Sequence, residues 1–453
     1  MTRSRRLPLA AILIGLALAL GLVASASAAV QTSDDRIETA DPTSLTFHLR
    51  VSGDPVQDAV LTYRVLNPDG NVGGDLRAQV PTGGQGDLQV TLQTNSGATY
   101  IPVGSRISYH WELTTAQGEE TRTEAQTFVF LDGRYAWQSM ERDGVTVYWY
   151  ASEVDAALAL QATSDAITDV EALLDTHLPY PVRVVLWPRE SEGALAQRAR
   201  GGTFDSQVIT GGSRVSSDLL HIYDALGSFV DVARHEAAHL VTKVAGDGPF
   251  TRAPSWLDEG VAVYTQTSPG AGYRTAVEFA VQTDNTLRLR NLAAPSNQAS
   301  LVNTFYGQSW AVVAYLVETY GPGPLAEVFA AIKAGNTTDQ AFLDVYGFDQ
   351  DGLYNQWRLS VGLDPIEFSA AATTTPGAEG TRAPLTLPTS VAGGSSGGDG
   401  AASPGEGAEG ETVGAADGGS ASKAMTALII GVATLVLAGG LGVAGMRLMR
   451  AKA

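Results

Sequence analysis

Two histidines four residues apart stand out in this chain for their chemistry. They lie in the segment DVARHEAAHLVTKV as His235 and His239, and Glu236 follows the first directly. Residues four apart share one face of an α-helix, so both imidazoles can point at one divalent cation. Glu236 lies about 100° around the helix, beside the ion rather than on it. The spacing H-E-x-x-H predicts a metal centre that activates water, with Glu236 as the base.

The alternative is an amphipathic helix whose histidines are exposed or hydrogen-bonded. A third ligand decides between the two, and composition limits the choice. No histidine follows His239 and the chain has no cysteine, so a ligand further along the chain must be a carboxylate. The segment WLDEGVA follows, and its Asp258 and Glu259 lie 19 and 20 residues after His239. On a helix these neighbours diverge by about 100°, so only one of them can face the ion. Two histidines and one carboxylate leave a position open, as in catalytic zinc sites.

The stretch 139–368 must position these residues, and its pattern predicts an α+β domain. GVTVYWY and PVRVVLWP are typical of strands, and SEVDAALALQATSDAITDVEALLDTHL has helical spacing after a serine cap. The run 208–223, VITGGSRVSSDLLHIY, precedes the histidine helix and could supply an edge strand that pairs with an extended substrate. Helical patterns follow to the end of the domain. His177 and His221 are interpreted as ordinary residues of a helix end and a strand.

Residues 30–138 predict an all-β domain instead. Five runs of β-branched and aromatic residues, LTFHLRV, AVLTYRVL, LQVTLQT, RISYHWEL and AQTFVFL, are separated by turn signals such as NPDG and PTGGQG. This spacing is typical of an antiparallel, immunoglobulin-like sandwich. His48 and His110 fall in its strands and are interpreted as ordinary strand residues. The domain could bind a partner or act as a spacer.

The two ends of the chain predict its location. Residues 1–29 have basic, apolar and small-residue regions in the order of a signal peptide. Residues 369–423 are rich in Gly, Ala, Ser, Pro and acidic residues, which is typical of a disordered stalk. Residues 424–446 are uncharged and long enough for one transmembrane helix. The basic tail 447–453 predicts a cytoplasmic end and an extracellular body, anchored in the cell membrane.

The charge of the whole chain excludes one class of partner. The 453 residues carry 29 basic and 48 acidic side chains, a net charge of −19. Nucleic-acid binding requires clustered basic residues, so we expect no nucleic-acid partner. Without cysteine, disulfides, iron–sulfur clusters and thiolate metal sites are also excluded.

HEAAH followed by WLDEGVA resembles the gluzincin branch of zinc metallopeptidases. The similarity is greatest to peptidase MA-like domains of bacterial surface proteins, and more distant to the aminopeptidase N type. The resemblance implies a zincin-like fold, one Zn²⁺ ion and Glu259 as the third metal ligand beside His235 and His239. Asp258 would then lie either against a ligand or in solvent.

A later segment extends the resemblance. FYGQSWAVVAYLVETYG resembles the region in which aminopeptidases of this type carry a tyrosine that stabilises the oxyanion, with Tyr306 at that position. The alternative for Tyr306 is a core residue at a helix start. No G-x-M-E-N segment, which holds the free amino terminus of aminopeptidase substrates, precedes HEAAH. Endopeptidase and exopeptidase action therefore both stay open.

Together these patterns predict a membrane-anchored, extracellular zinc-dependent peptidase with peptide or protein substrates. Glu236 and Tyr306 are its predicted catalytic residues. Two alternatives keep the same fold. One is a non-catalytic cell-surface binding or adhesion protein, and the other is a zinc hydrolase of non-peptide substrates.

Overall fold

The computed structural model describes residues 29–96, 99–197, 212–223, 229–292 and 299–368. The predicted stalk, transmembrane helix and cytoplasmic tail lie outside the described residues, as does the predicted signal peptide except Ala29. Within the described ranges, every helix is too short or too polar to cross a bilayer.

The N-terminal region is rich in β-structure, as predicted. It holds two antiparallel sheets that share one core. The first sheet has three strands in the order β1-β2-β5. The second has the order β4-β3-β6-β7, and β8 also pairs with β6. Along β2 the side chains of Leu45, Phe47, Leu49 and Val51 are buried and those between them face outward, because successive strand residues point to opposite faces. The strands are β1 Gln31–Glu38, β2 Ser44–Ser52, β3 Val56–Leu66, β4 Val72–Arg77, β5 Gly86–Gln93, β6 Arg106–Thr115, β7 Glu120–Arg122 and β8 Gln126–Val129.

A second, mixed sheet follows in the order β12-β13-β11-β10-β9. Its inner pairs β10/β11 and β11/β13 are parallel, and its outer pairs β9/β10 and β12/β13 are antiparallel. Strand β12 therefore lies at one edge, and no other described strand pairs with its outer side. The strands are β9 Gln138–Arg142, β10 Val145–Trp149, β11 Val182–Trp187, β12 Gly212–Ser216 and β13 Leu219–Tyr223.

Helices dominate the remaining described residues, which confirms the helical pattern predicted for the later part of the α+β domain. The first of them begins after Ser152, whose hydroxyl accepts a hydrogen bond from the backbone N–H of Asp155 at 3.2 Å. The described helices are α1 Glu153–Leu174, α2 Glu190–Gly193, α3 Phe229–Gly246, α4 Ser255–Thr265, α5 Ala271–Gln282, α6 Ala299–Tyr320, α7 Pro322–Lys333, α8 Thr338–Tyr346 and α9 Gln350–Ser360.

The mixed sheet is covered on both faces. Val184 of β11 and Leu220 of β13 pack with residues of α1 and α3 in one core. Val185 and Leu219, one position along the same strands, pack with the core of the N-terminal sheets. All residues of β11 and β13 are consequently buried. The N-terminal region thus forms a layer of the same body and is not a detached spacer.

The four histidines outside α3 lie where the sequence places them. His48 is in β2, 3.0 Å from Glu38, and His110 is in β6, 3.1 Å from Glu112. His177 follows α1 and its imidazole lies 3.0 Å from the Glu171 carboxylate. His221 is buried in β13.

Candidate metal centre

Helix α3 presents both motif histidines on one face. The ring centroids of His235 and His239 lie 4.8 Å apart, and their Nε2 atoms are separated by 3.2 Å. His239 is buried and His235 is half-buried. The four-residue spacing on the helix therefore directs two nitrogen lone pairs to one point.

Helix α4 brings Glu259 to the same point. Its Oε2 atom lies 3.2 Å from Nε2 of His235 and 3.4 Å from Nε2 of His239. Metal–ligand bonds of about 2.0–2.1 Å at a tetrahedral angle put neighbouring ligand atoms about 3.3–3.4 Å apart. The three ligand atoms thus form one face of a tetrahedron of the size that zinc requires, and these residues could hold a metal ion.

The environment of Glu259 also fits a cation. Its Oε2 atom is buried, and no donor among the described residues makes a well-formed hydrogen bond to it. Burial alone raises the pKa of this carboxyl group, but His235 and His239 outweigh that effect and hold the pKa well below its usual range. An ionised, buried carboxylate needs a positive partner. When the two Nε2 atoms carry no proton, a metal ion between the three ligand atoms would supply that charge.

Two features of α4 set the position of Glu259. Trp256 is fully buried and its indole N–H donates to Oε1 of Gln350 at 3.1 Å, which fixes the first turn against α9. Gly260 lies against α6, where an added Cβ would come within 2.5 Å of the Ser309 carbonyl oxygen. Only a glycine allows the two helices to approach this closely.

The imidazoles are held from behind through their second nitrogens. Nδ1 of His239 lies 3.0 Å from Oδ1 of Asp258, which also accepts a hydrogen bond from the Thr242 hydroxyl. Of the two positions left open for Asp258, the structure shows the one against a ligand. A carboxylate there keeps the proton on Nδ1 and directs the Nε2 lone pair to the metal.

His235 has a different support. Its Nδ1 atom lies 3.3 Å from the side-chain amide of Gln266, the residue that follows α4. The end of α4 is tied to α3 because Nε of Arg234 donates to the Thr265 carbonyl oxygen at 2.6 Å. The backbone N–H of Thr267 donates to Asp231 at 2.7 Å. These two bonds fix the residues on either side of Gln266. The sequence did not predict Gln266 as a partner of His235.

Glu236 faces the edge strand β12. A Cβ added at Gly212 would lie 2.9 Å from Cγ of Glu236 and 2.6 Å from Cγ1 of Val232. Arg214, two residues along β12, donates to the His239 carbonyl oxygen at 3.1 Å. The strand thus runs along α3 and begins beside the predicted base.

Tyr306, about two turns into α6, lies at the same centre. Its ring centroid is 6.2 Å from that of His235. Burial raises the pKa of its phenol, and the charges of Glu259 and Glu236 raise it further, so the phenol keeps its proton at neutral pH. The structure therefore places Tyr306 at the site, not only in a core at a helix start.

A second tyrosine, which the sequence did not single out, supports this ring. Tyr273 of α5 stacks on Tyr306 with centroids 5.2 Å apart and an interplanar angle of 21°. The pKa of Tyr273 is also raised, by burial and then by the charge of Glu259. No motif marks Tyr273 in the sequence, because its segment SPGAGYR has no recognisable catalytic spacing.

Residues 225–362 match the family model of the Peptidase MA superfamily. The match spans α3 to α9 and includes both motifs of the centre. It supports a metallopeptidase-type, zincin-like domain in this part of the chain. The more distant similarity to the aminopeptidase N type stays a prediction.

A search of curated proteins finds no match. Among solved structures, a purple acid phosphatase from yellow lupin (Lupinus luteus) seeds is 10% identical, with a TM-score of 0.18, over 34% of this chain and 29% of that chain. Sporulation control protein Spo0M from Bacillus subtilis is 13% identical, with a TM-score of 0.16, over 32% and 56%. A polysaccharide deacetylase from Bacillus cereus is 8% identical, with a TM-score of 0.18, over 37% and 53%.

This chain therefore spans less than a third of the phosphatase and about half of the other two proteins. The TM-scores are too low to indicate a shared fold.

Proposed function

We propose that this protein is a zinc-dependent peptidase of the gluzincin type, distantly similar to the aminopeptidase N type. The observation that carries the proposal is the triangle of ligand atoms from His235, His239 and Glu259, with sides of 3.2, 3.2 and 3.4 Å. The carboxylate behind His239 and the half-buried Glu236 beside the ligands support a catalytic rather than a closed structural site.

The residues divide the work of peptide hydrolysis among them. His235, His239 and Glu259 would hold one Zn²⁺ ion. When bound, the ion would supply Lewis acidity, which would lower the pKa of a water molecule and polarise the substrate carbonyl group. Glu236 accepts the proton of the attacking water and delivers it to the leaving amine. The protonated phenol of Tyr306 donates a hydrogen bond to the carbonyl oxygen as negative charge develops on it. The outer edge of β12, which begins beside Glu236, pairs with the extended substrate.

The decisive experiment compares the wild type with Glu236→Gln. We expect the variant to bind zinc one to one and to lose about 10²- to 10⁴-fold in turnover of a peptide library, because the amide cannot accept the proton. Glu278→Gln, at an exposed position of α5, is the matched control and should cleave like the wild type. Equal turnover by Glu236→Gln and the wild type would reject the mechanism. Stable binding of a protein partner without hydrolysis would instead support the non-catalytic alternative.

We further propose that the N-terminal sheets form an immunoglobulin-like sandwich and that the body is held outside the cell by the segment 424–446. The uncharged composition of this segment and the basic residues Arg447, Arg450 and Lys452 after it support that orientation. Recovery of the full chain in the soluble fraction of lysed cells, without detergent, would contradict the anchor.

A further inference from the structure

A cavity of about 500 Å³ lies between the N-terminal region and strand β12. Tyr63 and Val65 of β3 and Val72 of β4 form one side of it, and Val215 of β12 lies on the other. Val72 has 71% of its surface exposed. The volume falls within the range of about 300–1,000 Å³ that is typical of ligand pockets.

The walls of this cavity favour an apolar occupant. Besides the valines and Tyr63, they include Leu66, Ile101 and Pro102, together with uncharged residues that carry hydroxyl or amide groups. The one charged side chain in the wall, Arg183, is bonded to the Asp218 carboxylate and donates to the Gly104 carbonyl oxygen at 2.9 Å. Because this charge is already paired, it offers no partner to a charged ligand.

The cavity and the metal centre lie along the same strand. Gly212 borders Glu236, and Val215 lies three residues further along β12, a distance of about 10 Å at the rise of a strand. Arg214 points to α3, whereas Val215 packs against the core of the N-terminal sheets. Residues paired across neighbouring strands point to the same face of a sheet. Val215 lies at a register shift of β12, but its own side chain lines the cavity. A chain that follows the outer edge of β12 would therefore pass the cavity beside Val215 and could place a side chain in it.

We propose that this cavity is a substrate subsite that binds a large apolar side chain, Leu or Phe, three or four residues from the scissile bond of an extended peptide. The inference rests on the proposed peptidase function and deepens it. The N-terminal β-rich region then takes part in substrate selection. Substrates must extend at least three residues from the scissile bond towards the cavity. A dipeptide or a tripeptide cannot reach the cavity from the metal centre.

The test uses the full-length chain and internally quenched decapeptides that differ at one position, where Leu, Phe and Ala are compared. We expect kcat/KM to favour Leu or Phe over Ala by about tenfold or more at one position, three or four residues from the cleaved bond. Val72→Asp places a charge at the mouth of the cavity and should reduce this ratio towards one. Val154→Asp is the matched control, because Val154 has a similar exposure of 69% and lies on α1, outside the cavity. It should leave the ratio unchanged.

The binding of fluorescein-labelled forms of the same peptides to Glu236→Gln separates this inference from the proposed function. In one outcome no peptide is cleaved, Leu and Phe peptides still bind more tightly than the Ala peptide, and Val72→Asp removes this difference. That outcome supports the subsite and contradicts the peptidase function. If peptides are cleaved without an apolar preference at that distance, or Val72→Asp leaves the preference intact, the subsite is overturned and the peptidase function stands. Absence of both cleavage and apolar preference overturns both.

Discussion

At the scale of single residues, the two imidazoles of the candidate metal centre have different partners at Nδ1. A carboxylate from α4 holds His239, whereas an amide beyond the end of α4 holds His235. A negatively charged partner makes an imidazole a stronger metal ligand than a neutral partner does. Asp258 should therefore contribute more to zinc affinity than Gln266 does.

Replacement of Asp258 by Asn tests this assignment. We expect Asp258→Asn to weaken zinc binding by about 10- to 100-fold, because Nδ1 of His239 loses its charged acceptor. Competition with a fluorescent zinc chelator measures the affinity without a substrate. Asp344→Asn, at an exposed position of α8, is the control and should bind zinc like the wild type. An unchanged affinity in Asp258→Asn would show that the contact with His239 has no role in holding the metal.

Tyr273 offers a second test at this scale. Because its ring stacks on Tyr306, we expect Tyr273→Ala to lower kcat by about 10- to 100-fold with little change in KM, through loss of the orientation of the phenol. Tyr273→Phe keeps the ring and should retain the kcat of the wild type. Equal loss in the two variants would show that the hydroxyl group, not the stacking ring, is required.

The sequence predicted much of the centre but not all of it. Helical spacing and the absence of other ligands led to His235, His239 and a carboxylate at 258 or 259, and the resemblance selected Glu259. Gln266 and Tyr273 could not be predicted in this way, because each reaches the centre through the packing of a different helix. No spacing rule joins Gln266 to a histidine 31 residues earlier in the chain.

At the scale of elements, the crossing of α4 and α6 determines where Glu259 lies. Gly260 is adjacent to the ligand and touches the backbone of α6. We expect Gly260→Ala to lower the free energy of unfolding by about 1–3 kcal/mol, because the added methyl group overpacks this contact. It should also weaken zinc binding, since α4 must shift to relieve the contact. Urea unfolding of the metal-free chain measures the first effect, and chelator competition measures the second.

Gly323→Ala is the control for this change. Gly323 lies in the first turns of α7, and an added Cβ there meets no atom within 4 Å. We expect the control to leave zinc affinity unchanged and to preserve or slightly raise stability. If both alanine variants behave alike, close approach of the helices at Gly260 is not what places the ligand.

Strand patterns in the sequence predicted the edge strand before α3, but not its alignment with the helix. Gly212 faces Glu236 and Arg214 faces His239 only because of the way β12 packs against α3. The strand pairing also shifts register between Arg214 and Ser216, which alternation of polar and apolar residues does not predict. Tertiary packing, rather than local preference, therefore fixes which residues of β12 face the metal centre.

At the scale of the whole molecule, the mixed sheet is a middle layer between helices and the N-terminal sheets. The sequence indicates this arrangement, since both faces of the strand predicted from PVRVVLWP are apolar except at Arg183. Such continuous runs are typical of strands that are covered on both sides. The sequence did not tell which part of the chain supplies the second cover, because that depends on contacts between distant segments.

His221 makes the stability of this layered body depend on pH. Its Nε2–H donates to the Val103 carbonyl oxygen of the N-terminal region at 2.7 Å, and burial lowers the pKa of His221 to about 4. The unfolded chain, with an ordinary histidine pKa of about 6.5, binds the proton more readily between pH 6.5 and 4. Stability is therefore fully present above pH 6.5 and falls as the pH decreases, by about 2 kcal/mol at pH 5.

Urea unfolding at pH 7.5 and pH 5 measures this dependence. His221→Gln removes the titrating group and keeps a donor for the carbonyl oxygen. Between pH 7.5 and pH 5, the variant should therefore lose about 2 kcal/mol less of its free energy of unfolding than the wild type loses. His177→Gln, whose histidine side chain is 82% exposed, should behave like the wild type. Loss of metal at low pH affects the wild type and the variants alike, so it does not change the difference between their free energies of unfolding. Parallel pH curves for the wild type and His221→Gln would contradict the prediction.

The salt bridge from Lys243 of α3 to Asp69 extends the contact between the N-terminal region and the helix that carries His235 and His239. Beneath that region, the large side chains of Trp187, Leu219 and Tyr223 are buried against it. Proteolytic removal of residues 30–138 would expose them to water, at a cost of about 1.5–3 kcal/mol for each one. Loss of this region would therefore destabilise the helical part of the body, which carries the candidate metal centre.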